Sequence, residues 1–334
     1  MALFALPVQE LWDRIIDHLN DSPSSLCACA RTCRAFTWRA QSHIFRAIRA
    51  PVEPLDCGEF DEKRALELQR RLARFRRLSR TLLRSPNAAF LVSRVRALQI
   101  HASSPEITDI LAKVPWTNVR TLHLKNISHV PPAVEAVRAL VSIPSLEDLE
   151  LRFAPTTFGG YRVPETDLAA ILVAISPNVR ILRLGLCNPY SYGPVRLLSS
   201  LTLPPSIQTF ILDHSPGIVP LLCAMNDARL GPRFTRITTL HLRNSWSPAL
   251  DNFLRSCGAN VEVLHVDAFG KTLSFNFWSN YSKIWADQGL ETLRLDCFPN
   301  LRQLVCPNAA EWTPARTLLD KFQHGEAVLV RVQA

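Results

Sequence analysis

Few residues in this chain have the type and spacing to do chemistry. Cys27, Cys29 and Cys33 form a C-x-C-x-x-x-C run, and His241 and His265 recur at equivalent places in two similar phrases. Zinc would ask for four converging ligands. On a helix Cys29 and Cys33 share a face but Cys27 does not, and no second ligand pair lies nearby, so the three thiols read as buried, small apolar packing. The histidine pair could hold a metal on adjacent strands, but no carboxylate or cysteine takes the same place beside it. P-loop, G-x-S-x-G, H-E-x-x-H and dinucleotide-binding glycine patterns are missing, and Gly159-Gly160 has no phosphate-binding sequence after it. The expectation is a protein without catalysis, metal or cofactor.

The histidines belong to a repeating phrase. VRALQI (95–100), VRTLHL (119–124), LEDLEL (146–151), VRILRL (179–184), IQTFIL (207–212), ITTLHL (237–242), VEVLHV (261–266) and LETLRL (290–295) share apolar residues at positions one, four and six. LRQLVC (301–306) is a weaker last copy. The pattern resembles the L-x-x-L-x-L core of leucine-rich repeats, at long and irregular spacing. Between phrases, 131–141, 165–175, 218–230, 247–257 and 272–287 have helical apolar spacing, and several start at Pro or Ser/Thr/Asp. Strand, turn and helix in repetition predict an α/β solenoid with a parallel sheet on the concave face and helices on the convex one. Asn126 and Asn244 keep no fixed place, which predicts an incomplete asparagine ladder. A helix over 314–322 and a strand over 327–332 are expected to close the C-terminal edge.

In such strands position five faces away from the core. That row holds Gln99, His123, Glu150, Arg183, Ile211, His241, His265 and Arg294, flanked at position seven by Lys125, Arg152, Asp213, Arg243, Asp267 and Asp296. Its mixed charge suits a protein target, and His123, Glu150, Arg183, His241, His265 and Arg294 are the candidate target-binding residues.

The net charge of +9 is concentrated. Residues 61–84 carry nine basic and three acidic residues, a surplus of +6 that leaves +3 for the rest. Leu68, Leu72, Phe75, Leu78, Leu82 and Leu83 make this segment an amphipathic helix laid against the first repeat, with its arginines as a solvated outer face. Without interleaved exposed aromatics, a nucleic-acid role is not expected.

At the N-terminus, Pro7 suits a first helical turn, and Val8, Leu11, Trp12, Ile15, Ile16 and Leu19 fill an apolar arc of roughly 140°. Ser22-Pro23 opens a second helix bearing Leu26, Cys29, Ala30 and Cys33. A third stretch carries Phe36, Trp38, Ala40, Ile44, Phe45 and Ile48. Fewer than fifty residues without a disulfide or metal rarely bury enough surface alone, and the arc is wider than a minimal bundle needs. A partner is expected to cover the surplus.

The string LPVQELWDRIIDHLNDSPSSLCACARTCRAF resembles an F-box, through Leu6, Pro7, Glu10, Leu11, Ile15, Leu19, Leu26, Cys33, Arg34 and Phe36, with Thr32 and Phe36 departing from the usual Val and Trp. Together with the repeats, the chain resembles fungal-type F-box/leucine-rich-repeat proteins. The resemblance implies docking on a Skp-type adaptor, and through it a cullin, by Leu6, Pro7, Glu10, Leu11, Ile15, Leu19, Leu26, Cys33 and Phe36. It implies the substrate-recognition subunit of an SCF-type ubiquitin ligase, in which other subunits transfer ubiquitin. The alternative is a repeat scaffold whose F-box-like segment is a cap or binds another partner.

The expected organisation is F-box-like helices over 4–48, a linker over 49–60, the basic helical region over 61–90 and the solenoid over 91–334. A chain 47% apolar and 20% charged is folded rather than disordered. An odd count of nine scattered cysteines reads as reduced, mostly buried thiols of the cytosol or nucleus. The start lacks a basic export region, and the best apolar stretch, 168–175, is far short of the ~20 residues a membrane span needs. Cytoplasmic or nuclear residence without membrane association is the expectation.

Overall fold

A computed structural model describes residues 5–50, 62–85, 88–101, 105–127, 131–153, 163–185, 189–190, 204–213, 236–243, 250–267, 297–305 and 329–331. Its centre is a ten-stranded sheet in which every neighbouring pair is parallel. In chain order the strands are β1 (Ala47–Arg49), β2 (Ala97–His101), β3 (Thr121–Ile127), β4 (Asp148–Phe153), β5 (Val163–Pro164), β6 (Ile181–Gly185), β7 (Pro189–Tyr190), β8 (Thr209–Asp213), β9 (Thr239–Arg243), β10 (Val263–Asp267), β11 (Gln303–Val305) and β12 (Leu329–Arg331). Strands β5 and β7 form a separate short pair; the others lie side by side in sequence order. Helices α6 (Pro105–Ala112), α7 (Pro131–Val141) and α8 (Glu165–Val173) fill successive crossovers and pack on one another. The result is a solenoid-like α/β fold. Among the described residues no helix is long and apolar enough to cross a membrane.

The repeat phrase explains the register. Position four (Leu98, Leu122, Leu149, Leu182, Phe210, Leu240, Leu264 and Leu304) is at most 1% exposed in these eight strands, and position six is sealed beside it in the first seven. Position two does different work. The carbonyls of Arg46, Arg96, Arg120, Glu147, Arg180, Gln208, Thr238 and Glu262 each accept two backbone N–H bonds of 2.8–3.1 Å from the next phrase. Each strand entrance is thereby pinned to its neighbour, because a one-residue slip would also turn the apolar side chains to the wrong face.

A side-chain ladder reinforces this edge, away from where Asn126 and Asn244 suggested one. In five phrases the residue just before position one is Asn118, Ser145, Asn178, Ser206 or Asn300, and it donates to a backbone carbonyl of the preceding repeat. The bonds run from Asn118 to Ser93 (2.9 Å), Ser145 to Val119 (2.8 Å), Asn178 to Pro144 (2.8 Å), Ser206 to Pro177 and Val179 (2.6 Å each) and Asn300 to Ala259 (2.7 Å). Asn126 instead takes a left-handed φ of 55° where the β3–β4 register shifts, a conformation asparagine tolerates. Asn244 lies outside the described residues.

Three expectations change. Ile48, read as part of a third helix, is in β1: FRAIRA (45–50) is an earlier copy of the phrase, with Ile48 and Ala50 buried. The sheet therefore begins where the helical unit was thought to give way to a linker. Its small Ala50 at position six hides the copy from a search for Leu, Ile or Val. Second, the place beside β10 belongs to LRQLVC, since Val263 pairs with Gln303 and His265 with Val305. LETLRL, expected there, falls at 290–295, outside the described residues. Third, Cys27 and Cys33 are exposed, so they are not the buried packing expected of them, while Cys29 is half-buried and packs against the core of the helical unit. Cys33 has left the helical face, taking an extended conformation between two helices.

The predicted helix at 131–141 matches α7, while α8 stops two residues before 175. The helix α9 (Leu250–Cys257) covers the described part of 247–257. The expected helices at 218–230, 272–287 and 314–322 lie outside the described residues, but a strand does occur within 327–332. After α9, Gly258 meets the next turn so closely that a Cβ would lie 2.3 Å from the Cys297 carbonyl oxygen, which only glycine avoids.

Two kinds of stabilisation should separate experimentally. Leu149→Ala should lower the unfolding free energy by about 2–5 kcal/mol through cavity formation. Asn178→Ala should lower it by about 1 kcal/mol through one lost hydrogen bond. Urea unfolding followed by circular dichroism measures both; equal effects would contradict this division of roles.

Candidate binding surfaces

The N-terminal unit consists of α1 (Ala5–His18), α2 (Pro23–Thr32) and α3 (Arg34–Ile44). Ser22 precedes α2 with Pro23 at its start, as expected, but its hydroxyl bonds the Ser25 hydroxyl at 2.8 Å rather than a backbone N–H. Ile16, Leu26 and Ala40 make a small core, with Leu19, Cys29, Ala30, Phe36 and Ile44 packed around it. Asp17 ties α1 to α3: the Arg39 Nε donates to its carboxylate at 2.6 Å, a second Arg39 nitrogen makes a short contact, and the His43 Nε2 lies 2.7 Å away. The Arg39 hydrogen bond is the main reason the Asp17 carboxyl falls to about 2, with His43 adding to it against the opposing effect of burial.

This core leaves much of the apolar arc uncovered. Leu11 is 59% exposed, and Trp12 and Ile15 are each 42% exposed. Trp12 leans on Phe36, ring centroids 5.1 Å apart. Of the other expected adaptor-facing residues, Glu10 and Cys33 are exposed, Leu19 and Phe36 half-buried, and Leu26 buried. The side chains of Leu6 and Pro7 lie outside the described residues. The expected positions thus divide into a core set around Leu26 and a surface set around Leu11 and Ile15. Trp38, 59% exposed, meets Phe90 of α5 (Ala88–Arg94) edge-on at 4.5 Å.

The second surface is the sheet face turned from the helices. Parallel pairing aligns position five in one row: Arg49, Gln99, His123, Glu150, Arg183, Ile211, His241, His265, Val305 and Arg331. His123, Glu150, Arg183, His241 and His265 therefore share this row, with Ile211 between Arg183 and His241, while Arg294 lies outside the described residues. Arg49 was missed with its phrase. Asp148, at position three, was also missed, although it contacts Arg183 across β4 and β6. The sequence signal for it was simple: position three shares a face with position five.

The row has two electrostatic halves. In the first, Arg183 pairs with Asp148, and the His123 Nδ1 sits 3.5 Å from the Glu150 carboxylate. Burial pulls the His123 imidazole down, against the raising effect of Glu150 and Asp148, so at neutral pH that contact is not an ion pair. In the second half, His241 and His265 stack with centroids 3.8 Å apart and planes 11° from parallel. Burial, then the charges of His265 and Arg183, push the His241 imidazole down to about 4, and burial lowers His265. Stacking two neutral rings incurs no charge repulsion; stacking two imidazolium ions would. At position seven, Arg243 lies 3.7 Å from Asp213. Among the described residues no three His, Cys, Asp or Glu side chains gather as a metal site would require.

No protein-family model matches the chain, and no curated protein matches it.

The histidine stack makes stability depend on pH. Its native imidazoles hold protons less tightly than unfolded ones, so the unfolded chain protonates first as pH falls. Stability should decline from about pH 6.5 towards pH 4, then level off for His241 once the native ring also protonates. The Asp17 contribution behaves separately: present above about pH 3.8 and lost as pH falls towards 2. In urea unfolding, His241→Asn should flatten the pH 6.5–4 slope and Asp17→Asn should leave it unchanged.

Proposed function

We propose that the chain is the substrate-recognition subunit of an SCF-type ubiquitin ligase, of the fungal-type F-box/leucine-rich-repeat family. Helices α1–α3 act as an F-box that docks a Skp-type adaptor and, through it, a cullin. The sheet face presented by a leucine-rich-repeat solenoid holds the target protein. The chain contributes no catalytic group; it raises the effective concentration of target near the transferring subunits.

The observation that carries this reading is the exposure of Leu11, Trp12 and Ile15 beside a core that, among the described residues, is built on three fully buried side chains. Leu11 and Ile15 are one helical turn apart, so they form a contiguous apolar strip rather than scattered surface residues. Such a strip on a small unit is the mark of a surface that a partner covers. The F-box-like string supplies the kind of partner.

A second reading has its own support. Because β1 joins the sheet and Trp38 touches Phe90, the helical unit also caps the strand array. In that reading the chain is an interaction scaffold outside any ligase. The two separate at Leu11. Its exposure means Leu11→Asp should change stability by less than about 0.5 kcal/mol. Co-purification with a Skp-type adaptor should occur for wild type and fall at least about tenfold for Leu11→Asp. Retention of both proteins, or of neither, overturns adaptor docking and leaves the scaffold. Point variants are preferable to removing residues 1–48, since that cut passes through β1.

A further inference from the structure

We propose that the outer face of α4 (Glu62–Arg84) docks an acidic polypeptide segment. Phe75, Ser79 and Leu82 are buried and Leu72 and Leu78 half-buried against the core, where α4 packs on α5 and α6. At 100° per residue, Arg70, Arg74, Arg77, Arg80 and Arg84 fall on the opposite side within an arc of about 120°. All five are exposed. With a 1.5 Å rise, they form a cationic ridge about 21 Å long.

A merely solvated face needs charge, but not of one sign. Here Arg70–Arg74 and Arg80–Arg84 are like-charge neighbours at i,i+4, and Arg74–Arg77 and Arg77–Arg80 at i,i+3, arrangements that oppose helix formation. Glu67, the acidic side chain described on this helix, is engaged with Arg71 at 3.0 Å. Carboxylates supplied from outside would relieve the repulsion. The segment 70–84 holds seven arginines and no lysine, and the guanidinium fork matches a carboxylate by two parallel hydrogen bonds. An extended acidic chain presents same-side carboxylates about every 6.8 Å. Four such carboxylates span about 20 Å, which matches the length of the ridge, and the long arginine side chains take up the difference from its roughly 4.5–6 Å axial steps.

Other anionic partners fit less well. The sole aromatic of α4, Phe75, is buried, so single-stranded nucleic acid finds no stacking platform. Outside residues 61–84 the chain carries only +3, which gives a duplex no broad positive field. A bilayer would need an apolar face to insert, and Phe75 and Leu82 are already in the core. The inference goes beyond adaptor docking and is independent of it.

The test uses the full chain and fluorescence anisotropy with a labelled twelve-residue polyglutamate. Polyglutamine of equal length, duplex DNA, single-stranded RNA and phosphatidylserine vesicles serve as comparisons. Polyglutamate should bind, weaken with added salt and lose at least about tenfold in affinity with Arg74→Glu/Arg77→Glu/Arg80→Glu. These side chains are exposed, and unchanged thermal unfolding would show that the triple variant folds. Leu11→Asp should bind polyglutamate like wild type, which keeps this result apart from adaptor docking. The proposal is overturned if wild type does not bind polyglutamate, if the triple variant binds it equally well, or if DNA, RNA or vesicles bind more tightly.

Discussion

Everything in this molecule depends on how one backbone carbonyl per repeat is shared. The position-two oxygen accepts two N–H groups from the next phrase, from Arg46 through to Glu262, and so sets where each strand starts. With the start fixed, side-chain alternation follows, and the buried and open rows fall into line without adjustment. Side-chain identity at position two hardly matters to this role: arginine, glutamate, glutamine and threonine all occupy it. That tolerance suits a chain whose repeat lengths vary, because the crossovers can change while the entrance stays constant.

The sheet face shows how regular backbone can carry irregular chemistry. The same row geometry supports a charged half, with Arg183 paired to Asp148 and Glu150 beside His123, and a neutral, stacked half around His241 and His265. The difference comes from neighbours rather than from fold. Asp148 and Glu150 supply the carboxylates of the first half, whereas Ile211 and Val305 flank the histidines in the second. A target crossing this face would meet two chemically different strips separated by the Ile211 strand, two strand spacings or about 10 Å apart.

Much of this was legible in advance because period-two alternation is a strong signal. Eight phrases found by their apolar positions, the weaker LRQLVC among them, became neighbouring strands, and the position-five row followed from counting. What escaped detection did so for identifiable reasons. FRAIRA carries alanine at position six and adjoins a helix, so its apolar residues were absorbed into helical periodicity. LETLRL fits the phrase better than LRQLVC, yet the place next to β10 belongs to the poorer match; pattern strength does not encode spatial order. The strand-entry ladder uses Asn and Ser interchangeably, so a search for asparagine alone misses it. Exposure of Cys33 depends on where α2 ends, and helix ends are poorly determined by propensity, whereas Cys27 lies within α2 on a different face from Cys29. On α1, the width of the apolar arc correctly indicated more apolar surface than three helices cover, while the division between Ile16 inside and Leu11 outside required packing.

The position of β1 has one further consequence. Arg46 and Ala50 complete hydrogen bonds that Arg96, Ala97 and Gln99 of the neighbouring phrase would otherwise leave open. A chain cleaved or initiated after residue 50 would display β2 as a raw strand with unpaired amides, a template on which a second molecule could polymerise. The N-terminal unit thus replaces the five-residue edge of β2 with the three-residue edge of β1, a shorter template for strand addition.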